Sequence, residues 1–422
     1  MELIQSLEPY SRLFLALLSI KVIVQNYLDL RQRKSLIKNI KKVPNYFSSI
    51  ISIEEHQKAT NYNLEKLSFG KFVRSFKLII LMLWTFGGGL DYLIYLTTDN
   101  AHPVAEISMF FMSYILIETI ISLPISLYST FKIEEKYGFN KTTFKIFFTD
   151  LLKSLMLTVL IALPLFLGII KLLEMMGEYW WIYSWATFIC FQILLLFIYP
   201  KFLAPLFNKF SPLEDEKLNN QIQELLEKVQ FNAKEIFKMD ASKRSTHGNA
   251  YFTGFGKNKR IVFFDTILTQ MNNSEILAIL AHELGHFKKK HILKSIIIAF
   301  FTTFIFFYLL SIAIKDSAFL IGHGLHSSST AASIILFMMI FPIYSFLLTP
   351  LGNIFSRRNE FEADNFACTY TSAEDLKSAL VKLYKFNYGA LTPDELYSSF
   401  YDSHPPAMIR IKKLDENNKK IL

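Results

Sequence analysis

Seven long apolar stretches constrain what this chain can fold into more than any other feature of its sequence. Each has about the 20 residues that an α-helix needs to cross a lipid bilayer. The stretches cover approximately residues 10–28, 77–98, 105–130, 151–173, 180–206, 292–314 and 331–351. The first is the weakest, since Arg12, Lys21 and Gln25 interrupt it. We expect it to be a membrane anchor, because a cleaved signal peptide would be less polar and would end at an Ala-x-Ala-like site.

The composition agrees with a membrane protein. Apolar residues make up 52% of the 422 residues and charged residues only 19%, whereas an ordinary soluble domain has about 25% charged residues. The net charge of +9 is not accompanied by a basic and aromatic nucleic-acid motif, so we expect no nucleic-acid partner. Two cysteines, Cys190 and Cys368, are too few for a disulfide framework and are expected to be unpaired. We therefore predict a mainly α, polytopic membrane protein whose seven transmembrane helices contact the lipid bilayer.

The charges of the loops predict the orientation of these helices. Lys and Arg are concentrated in the loops after the first, third and fifth spans and in the C-terminal tail, and the other loops have almost none. Because basic loops stay in the cytoplasm, we expect the N-terminus outside and both long polar segments inside. The predicted regions are spans one to five with their loops (1–206), a cytoplasmic region (207–291), spans six and seven (292–351) and a cytoplasmic C-terminal region (352–422).

The segment 207–285 is the only part of the chain with the composition of a soluble domain. It has helical periodicity at 213–231, and short strands are predicted near residues 236–239, 250–253 and 261–264. Asn272 and Glu275 resemble a capping box, which predicts a helix that begins near Asn273 and runs on into the sixth span. We predict a small α+β domain here.

That helix contains His282-Glu283-Leu-Gly-His286, an H-E-x-x-H pattern. Residues four apart lie one turn apart on the same helix face, so His282 and His286 can bind one metal ion together. Glu283 projects at a neighbouring angle, from which a carboxylate can reach water at the metal. Gly285 would let another element approach closely. The alternative is two structural or surface histidines on a helix next to the membrane.

A catalytic zinc ion requires three protein ligands and one open position. His291 is out of register for the histidine of a longer zinc motif, so we expect it at the surface, beside three lysines at the lipid headgroups. Glu360 and Asp364 are four residues apart and share a helix face, whereas Glu362 points away. We predict Glu360 as the third ligand of one zinc ion per chain and Asp364 as the hydrogen-bond acceptor of a ligand histidine. The alternative is a solvated acidic helix face.

Together, His282–His286 and Glu360-x-x-Ala363-Asp364 are similar to the gluzincin pattern of the type I CAAX prenyl protease family of integral-membrane zinc endopeptidases. Further stretches resemble that family along the chain from about residue 54 to residue 414. They are 131–141, 240–252, 259–266 and Ser403-His404-Pro405-Pro406 with Arg410.

This resemblance implies a barrel of seven membrane helices around a hydrated chamber, with zinc at its cytoplasmic end. It also implies removal of the last three residues from prenylated C-a-a-X proteins. The membrane would be the endoplasmic reticulum in a eukaryote and the inner membrane in a bacterium. Asp91 and Glu118 would face the chamber, although the residues alone favour a wet cavity and an interhelical hydrogen bond equally.

The resemblance also implies roles for single residues. Glu283 would be the general base. His404 and Arg410 would stabilise the oxyanion or bind the substrate carboxylate, whereas a structural role is expected for His247. An edge strand would pair with an extended substrate; its residues are Asn249, Ala250, Tyr251 and Phe252.

Three other functions are compatible with parts of the pattern. An HtpX-like quality-control protease would apply the same chemistry to non-prenylated membrane proteins but usually has fewer spans. A site-2-type protease would carry its zinc helix within the bilayer, whereas His282 precedes the sixth span. A seven-span transporter or receptor would carry the motif incidentally and would bind no zinc.

Overall fold

The fold was analysed in a computed structural model, which describes residues 8–98, 102–231, 235–253 and 260–421. Most of this part of the chain is helical. The helices are α1 (Pro9–Asn39), α2 (Ile53–Trp84), α3 (Gly89–Thr97), α4 (Pro103–Tyr137), α5 (Phe144–Met175), α6 (Gly177–Phe207), α7 (Glu216–Lys228), α8 (Asp265–Gln270), α9 (Asn273–Lys288), α10 (His291–Lys315), α11 (Ser317–Gly322), α12 (Thr330–Tyr344), α13 (Thr349–Tyr370), α14 (Ala373–Phe386), α15 (Glu395–Tyr401) and α16 (Ala407–Ile421). The strands are β1 (Phe210–Pro212), β2 (Glu235–Met239), β3 (Ala250–Thr253) and β4 (Arg260–Phe264).

The prediction of a mainly helical, multi-pass membrane protein is confirmed. Five helices (α1, α4, α5, α6 and α10) are long and apolar enough to cross a bilayer. Two bent pairs also qualify if each is one span, namely α2 with α3, bent by 56°, and α12 with the segment Phe346–Tyr370, bent by 48°. The part of the chain that the structure describes therefore offers five to seven spans by length and composition.

A glycine triplet produces the first of these bends. Gly88 has a φ of 72°, in the left-handed region that glycine adopts without strain. A Cβ atom at Gly87 or Gly89 would lie 2.7 or 2.8 Å from the backbone oxygen of Leu83. Only residues without a side chain fit this turn, so the apolar stretch predicted as one straight span is broken near its middle.

The segment that follows α6 folds as an α+β unit around a four-stranded sheet in the order β1-β2-β4-β3. Strands β2 and β4 pair in parallel, and β1 and β3 pair with them antiparallel. The three predicted strands are confirmed, whereas β1 was not predicted, because three residues ending in a proline carry no alternating pattern. Helix α7 buries its apolar face through Leu218, Ile222, Leu225 and Leu226 in the core beneath this sheet.

The start of α9 is held by the predicted capping box. Asn272 Oδ1 accepts from the backbone N–H of Glu275, and Glu275 Oε2 accepts from that of Asn272, both at 2.9 Å. Glu275 is buried and also accepts from Ser378 Oγ (2.6 Å) and Lys382 Nζ (2.7 Å) of α14. Burial alone would raise the pKa of Glu275, but these hydrogen bonds outweigh it and hold the pKa below its usual value.

The end of α9 corrects the prediction that this helix runs on into the sixth span. Helix α9 ends at Lys288 and α10 begins at His291, with Lys290 between them at a φ of 58°. A left-handed residue interrupts the helical hydrogen bonding and changes the chain direction. His291, predicted at the surface, is consequently turned inward, and only 3% of it is exposed.

We predict that Glu275→Ala lowers the free energy of unfolding by about 1–3 kcal/mol, because it removes a helix cap and leaves Lys382 without its partner. Thermal unfolding of the detergent-solubilised protein measures this, with Glu224→Ala on the exposed face of α7 as the control. Since the folded-state pKa is lowered, the loss is expected at neutral pH and shrinks as acid protonates Glu275. A loss that is equal at neutral and acidic pH would contradict the prediction.

Candidate metal centre

Helices α9 and α13 bring the three predicted metal ligands together. His282 Nε2 lies 3.1 Å from His286 Nε2 and 3.5 Å from Glu360 Oε2. His286 Nε2 lies 3.3 Å from Glu360 Oε1. These three form a possible metal-binding group among the described residues. The pattern of i and i+4 histidines with a glutamate from a second helix is therefore present in three dimensions.

The geometry of this group fits a zinc ion. Zinc bonds of about 2.0–2.1 Å in a tetrahedron place neighbouring ligand atoms about 3.3 Å apart, close to the separations found here. Glu360 is 2% exposed, and its Oε2 atom is buried without a hydrogen bond. Arg410 Nη1 and His282 Nε2 lie 3.3 and 3.5 Å from this oxygen without forming a hydrogen bond. A cation between the two imidazoles would satisfy it.

Close packing of two helices produces this arrangement. A Cβ atom at Gly285 would lie 3.0 Å from the Cα atom and 3.1 Å from the backbone oxygen of Ala363. Such spacing leaves no room for a side chain on α9 at this point. The expectation that Gly285 admits another element is thus confirmed, and that element is the helix that carries Glu360.

Asp364 lies where the sequence places it, behind a ligand histidine. Its Oδ1 atom is 2.9 Å from His282 Nδ1, so the carboxylate accepts the N–H that leaves Nε2 free for a metal. Burial alone would lower the pKa of His282, but the carboxylates of Asp364 and Glu360 outweigh it and raise the pKa to about 9. The two carboxylates therefore favour a cation on Nε2 of this ring, which is a proton when no metal is bound.

Arg410, from α16, is the counter-ion of the two buried carboxylates. It binds Asp364 with two nitrogens, Nε at 2.8 Å and Nη2 at 2.5 Å, and its Nη1 lies 3.3 Å from Glu360 Oε2. Only 7% of Arg410 is exposed. This buried position favours a role in holding the carboxylates of Asp364 and Glu360 over the predicted roles of stabilising the oxyanion or binding the substrate carboxylate.

His404 and Glu283 are the two predicted catalytic residues that are not fully buried. The His404 side chain is exposed, and its Nε2 atom lies 3.3 Å from Glu360 Oε1 while Nδ1 lies 3.0 Å from Ser403 Oγ. Glu283 is half-buried and forms no hydrogen bond or ion pair with any residue that the structure describes. The exposure of His404 and the absence of a described partner for Glu283 are compatible with their predicted roles.

The predicted substrate strand is an edge strand. β3 pairs only with β4 in the described sheet and packs against α9. Its side chains pack within the protein: Ala250 is buried, Phe252 packs on Phe231, and Tyr251 packs on Phe264. Asn249 Oδ1 accepts from the next backbone N–H at 2.8 Å. The main chain is therefore the part of β3 that a substrate could pair with.

The structure adds two residues to the centre that the sequence analysis did not include. His291 Nδ1 lies 3.1 Å from His286 Nδ1, and His291 Nε2 lies 3.1 Å from Glu362 Oε2. The prediction of a surface position for His291 is wrong. Glu362 was predicted to point away from the metal ligands, and its contact with His291 was not predicted. His291 lies five residues after His286 in the sequence. This spacing predicts their contact only if the helix is known to break at Lys290.

The remaining singled-out residues have local partners. Asp91 accepts from the backbone N–H groups of His326 and Ser327, and Glu118 accepts from Trp84 Nε1 at 2.6 Å. Glu118 thus forms the interhelical hydrogen bond that was the alternative to a wet cavity, whereas Asp91 is bound by the loop that precedes α12. His247 stacks on Phe139 and contacts Asn387 and Glu134, as its expected structural role requires. Cys190 and Cys368 are both free.

Comparison with known proteins supports the family resemblance inferred from the motifs, over nearly the whole chain. Residues 32–209 match the family model described as CAAX prenyl protease N-terminal, five membrane helices, and residues 212–418 match peptidase family M48. The chain belongs to peptidase family M48. It is a membrane metalloprotease, and the resemblance inferred from its motifs is confirmed.

Relatives within this family align along nearly their full length. The chain is 35% identical to the CAAX prenyl protease 1 homolog of Arabidopsis thaliana, over 98% of this chain and 99% of the relative. It is 33% identical to the human CAAX prenyl protease 1 homolog, over 92% of each protein. The crystal structure of S. mikatae Ste24p superposes with a TM-score of 0.88 at 32% identity, covering 96% of this chain and 99% of that one.

We predict that Gly285→Val weakens metal binding by roughly tenfold or more, because the added side chain pushes α13 away and separates Glu360 from the histidines. Metal content after purification and competition with a chelator measure the effect. Gly352→Val is the matched control, since a Cβ atom there meets nothing within 4 Å. Full metal occupancy in Gly285→Val would contradict the account of the packing.

Proposed function

We propose that this protein is a zinc endopeptidase that removes the C-terminal tripeptide from prenylated C-a-a-X proteins. The observation that carries the proposal is the group of His282, His286 and Glu360, with ligand atoms at zinc-like separations. Relatives named CAAX prenyl protease 1 homolog, similar over nearly the whole chain, support the substrate class.

One zinc ion would be held by His282, His286 and Glu360 and would act as the Lewis acid of the reaction, acidifying water and polarising the scissile carbonyl. The Glu283 carboxylate accepts a proton from the attacking water and then donates it to the nitrogen of the leaving amine. Its carboxylate is available for this work because none of the described side chains engages it.

The other residues orient the centre and the substrate. His404 donates a hydrogen bond to the carbonyl oxygen as negative charge develops there, which requires its exposed position beside Glu360. Asp364 keeps the His282 ring in one tautomer, and Arg410 compensates the charge of Asp364 and Glu360. A catalytic centre is most effective when such partners are in place before the substrate binds.

The substrate would bind along β3 by strand addition, through the backbone of Asn249 to Phe252. A cavity of 580 Å³ opens beside His404, and Lys66 and Arg74 of α2 line its wall. The tripeptide that leaves carries a terminal carboxylate, and we expect it to approach Lys66 and Arg74, which pair with Glu134 and Asp29 in its absence. The prenyl group would remain on the larger product.

The membrane arrangement follows from the same proposal. The two bent helix pairs each act as one span, which makes seven spans in total. The excess of Lys and Arg in the polar segments that carry the metal-centre residues supports a position for the centre at the cytoplasmic end of a hydrated chamber. Asp91 and Glu118 then line that chamber while retaining their present hydrogen bonds. The membrane would be the endoplasmic reticulum in a eukaryote and the inner membrane in a bacterium.

We predict that the purified wild-type protein cleaves a farnesylated C-a-a-X peptide and that Glu283→Gln lowers the rate by about 10²–10⁴-fold. The variant should retain its zinc, because Glu283 is not a ligand. Release of the tripeptide measured by mass spectrometry, alongside zinc content, tests both statements. Glu224→Gln on the exposed face of α7 is the control, and a chelator should abolish wild-type activity.

Two further substrates test the specificity in the same assay. One is the same peptide without its prenyl group, and the other is an unfolded protein. Equal cleavage of all three would replace the prenyl-protein assignment with general proteolysis of membrane-associated chains. Undiminished activity in Glu283→Gln would contradict the mechanism itself.

A further inference from the structure

The two ligand histidines are supported differently on the sides that face away from the metal. His282 Nδ1 meets a carboxylate directly, that of Asp364. His286 Nδ1 meets another imidazole, that of His291, at 3.1 Å. The two rings are nearly perpendicular, with an interplanar angle of 75° and centroids 5.1 Å apart. The nitrogen of His286 that faces away from the metal is therefore held by a residue from α10.

The protons in this contact can be assigned from the chemistry of imidazole. A neutral imidazole has one N–H donor and one acceptor nitrogen. If Nε2 of His286 binds the metal, its Nδ1 carries the proton and donates to His291 Nδ1. His291 must then carry its own proton on Nε2, and that nitrogen lies 3.1 Å from Glu362 Oε2. Every nitrogen thus has one role, and the chain of hydrogen bonds ends on a carboxylate.

The surroundings of His291 and Glu362 hold this chain in place. His291 is 3% exposed and opens α10 directly after the left-handed Lys290, so its backbone position is defined by the helix break. Lys294 Nζ and Arg358 Nε lie 3.6 and 3.4 Å from the carboxylate of Glu362. These cations favour an ionised carboxylate, which is the better hydrogen-bond acceptor.

We propose that His291 and Glu362 are positioning residues that orient His286 for zinc through the chain His286–His291–Glu362. The proposal rests on the proposed function, since it takes His286 as a zinc ligand. His291 is not itself a ligand, because it contacts His286 at Nδ1, on the opposite edge of the ring from the Nε2 atom that faces His282 and Glu360. Asp364 is the carboxylate acceptor for His282 directly, and Glu362 is the carboxylate acceptor for His286 through His291.

A consequence is that the first turn of α10 is connected to the metal centre. The same helix is one of the five single-helix candidates for a membrane span. The zinc ligand set on α9 and α13 therefore has a third support, which enters from the membrane side. Loss of that support should weaken zinc binding without removing any ligand.

The test measures zinc affinity of the full-length protein by chelator competition. Loss of an outer partner of a metal-ligating histidine typically costs 10–100-fold in metal affinity, so we expect His291→Phe to raise the zinc Kd by about that factor. His291→Asn should lie between His291→Phe and wild type, because its amide oxygen can accept from His286 Nδ1. Glu362→Gln should raise the Kd by less than His291→Phe, since it keeps an acceptor oxygen but loses the charge.

The double variant His291→Phe/Glu362→Gln distinguishes a chain from two separate effects. Because Glu362 acts through His291, the second substitution should add almost nothing to the first. Lys289→Ala, an exposed neighbour at the same helix break, is the matched control and should bind zinc like wild type. Size-exclusion profiles and thermal unfolding show whether each variant is folded.

The outcomes separate this proposal from the proposed function. An unchanged zinc Kd in a folded His291→Phe or Glu362→Gln protein would overturn the positioning role while leaving the zinc protease intact. Fully additive effects in the double variant would overturn the connected chain. A wild-type protein that binds no zinc, with no difference from Glu360→Ala, would overturn both proposals.

Discussion

The metal centre depends on one close contact between two helices that are far apart in the sequence. At Gly285 the backbone of α9 meets the backbone of α13 near Ala363, with no side chain between them. This approach places Glu360 within 3.5 Å of both ligand histidines. Since the spacing of a zinc site tolerates only small errors, the proposed ligand set requires that these helices remain in contact.

That contact also buries two carboxylates, which would be unfavourable without compensation. Arg410 supplies the compensation by binding Asp364 through two nitrogens and approaching Glu360 through a third. The residue lies on α16, so this helix is needed for the charge balance of the centre. The ion pairs and the short helix-to-helix distance therefore stabilise each other.

Much of this centre could be predicted from the sequence because its signals are local. Each signal involves residues only three or four positions apart. They are the spacing of His282 and His286, the capping box at Asn272, and the shared helix face of Glu360 and Asp364. His291 could not be predicted, because its inward position depends on a left-handed Lys290, and lysine carries no signal for that conformation. Likewise, the burial of Arg410 results from tertiary packing.

The central claim is that zinc is bound by two imidazoles and Glu360, with no other side chain as a ligand. X-ray absorption spectroscopy at the zinc edge of the purified protein tests it most directly. The account predicts only nitrogen and oxygen neighbours at about 2.0–2.1 Å, with the outer-shell signature of two imidazoles. A sulfur neighbour at about 2.3 Å, or the signature of three imidazoles, would contradict it.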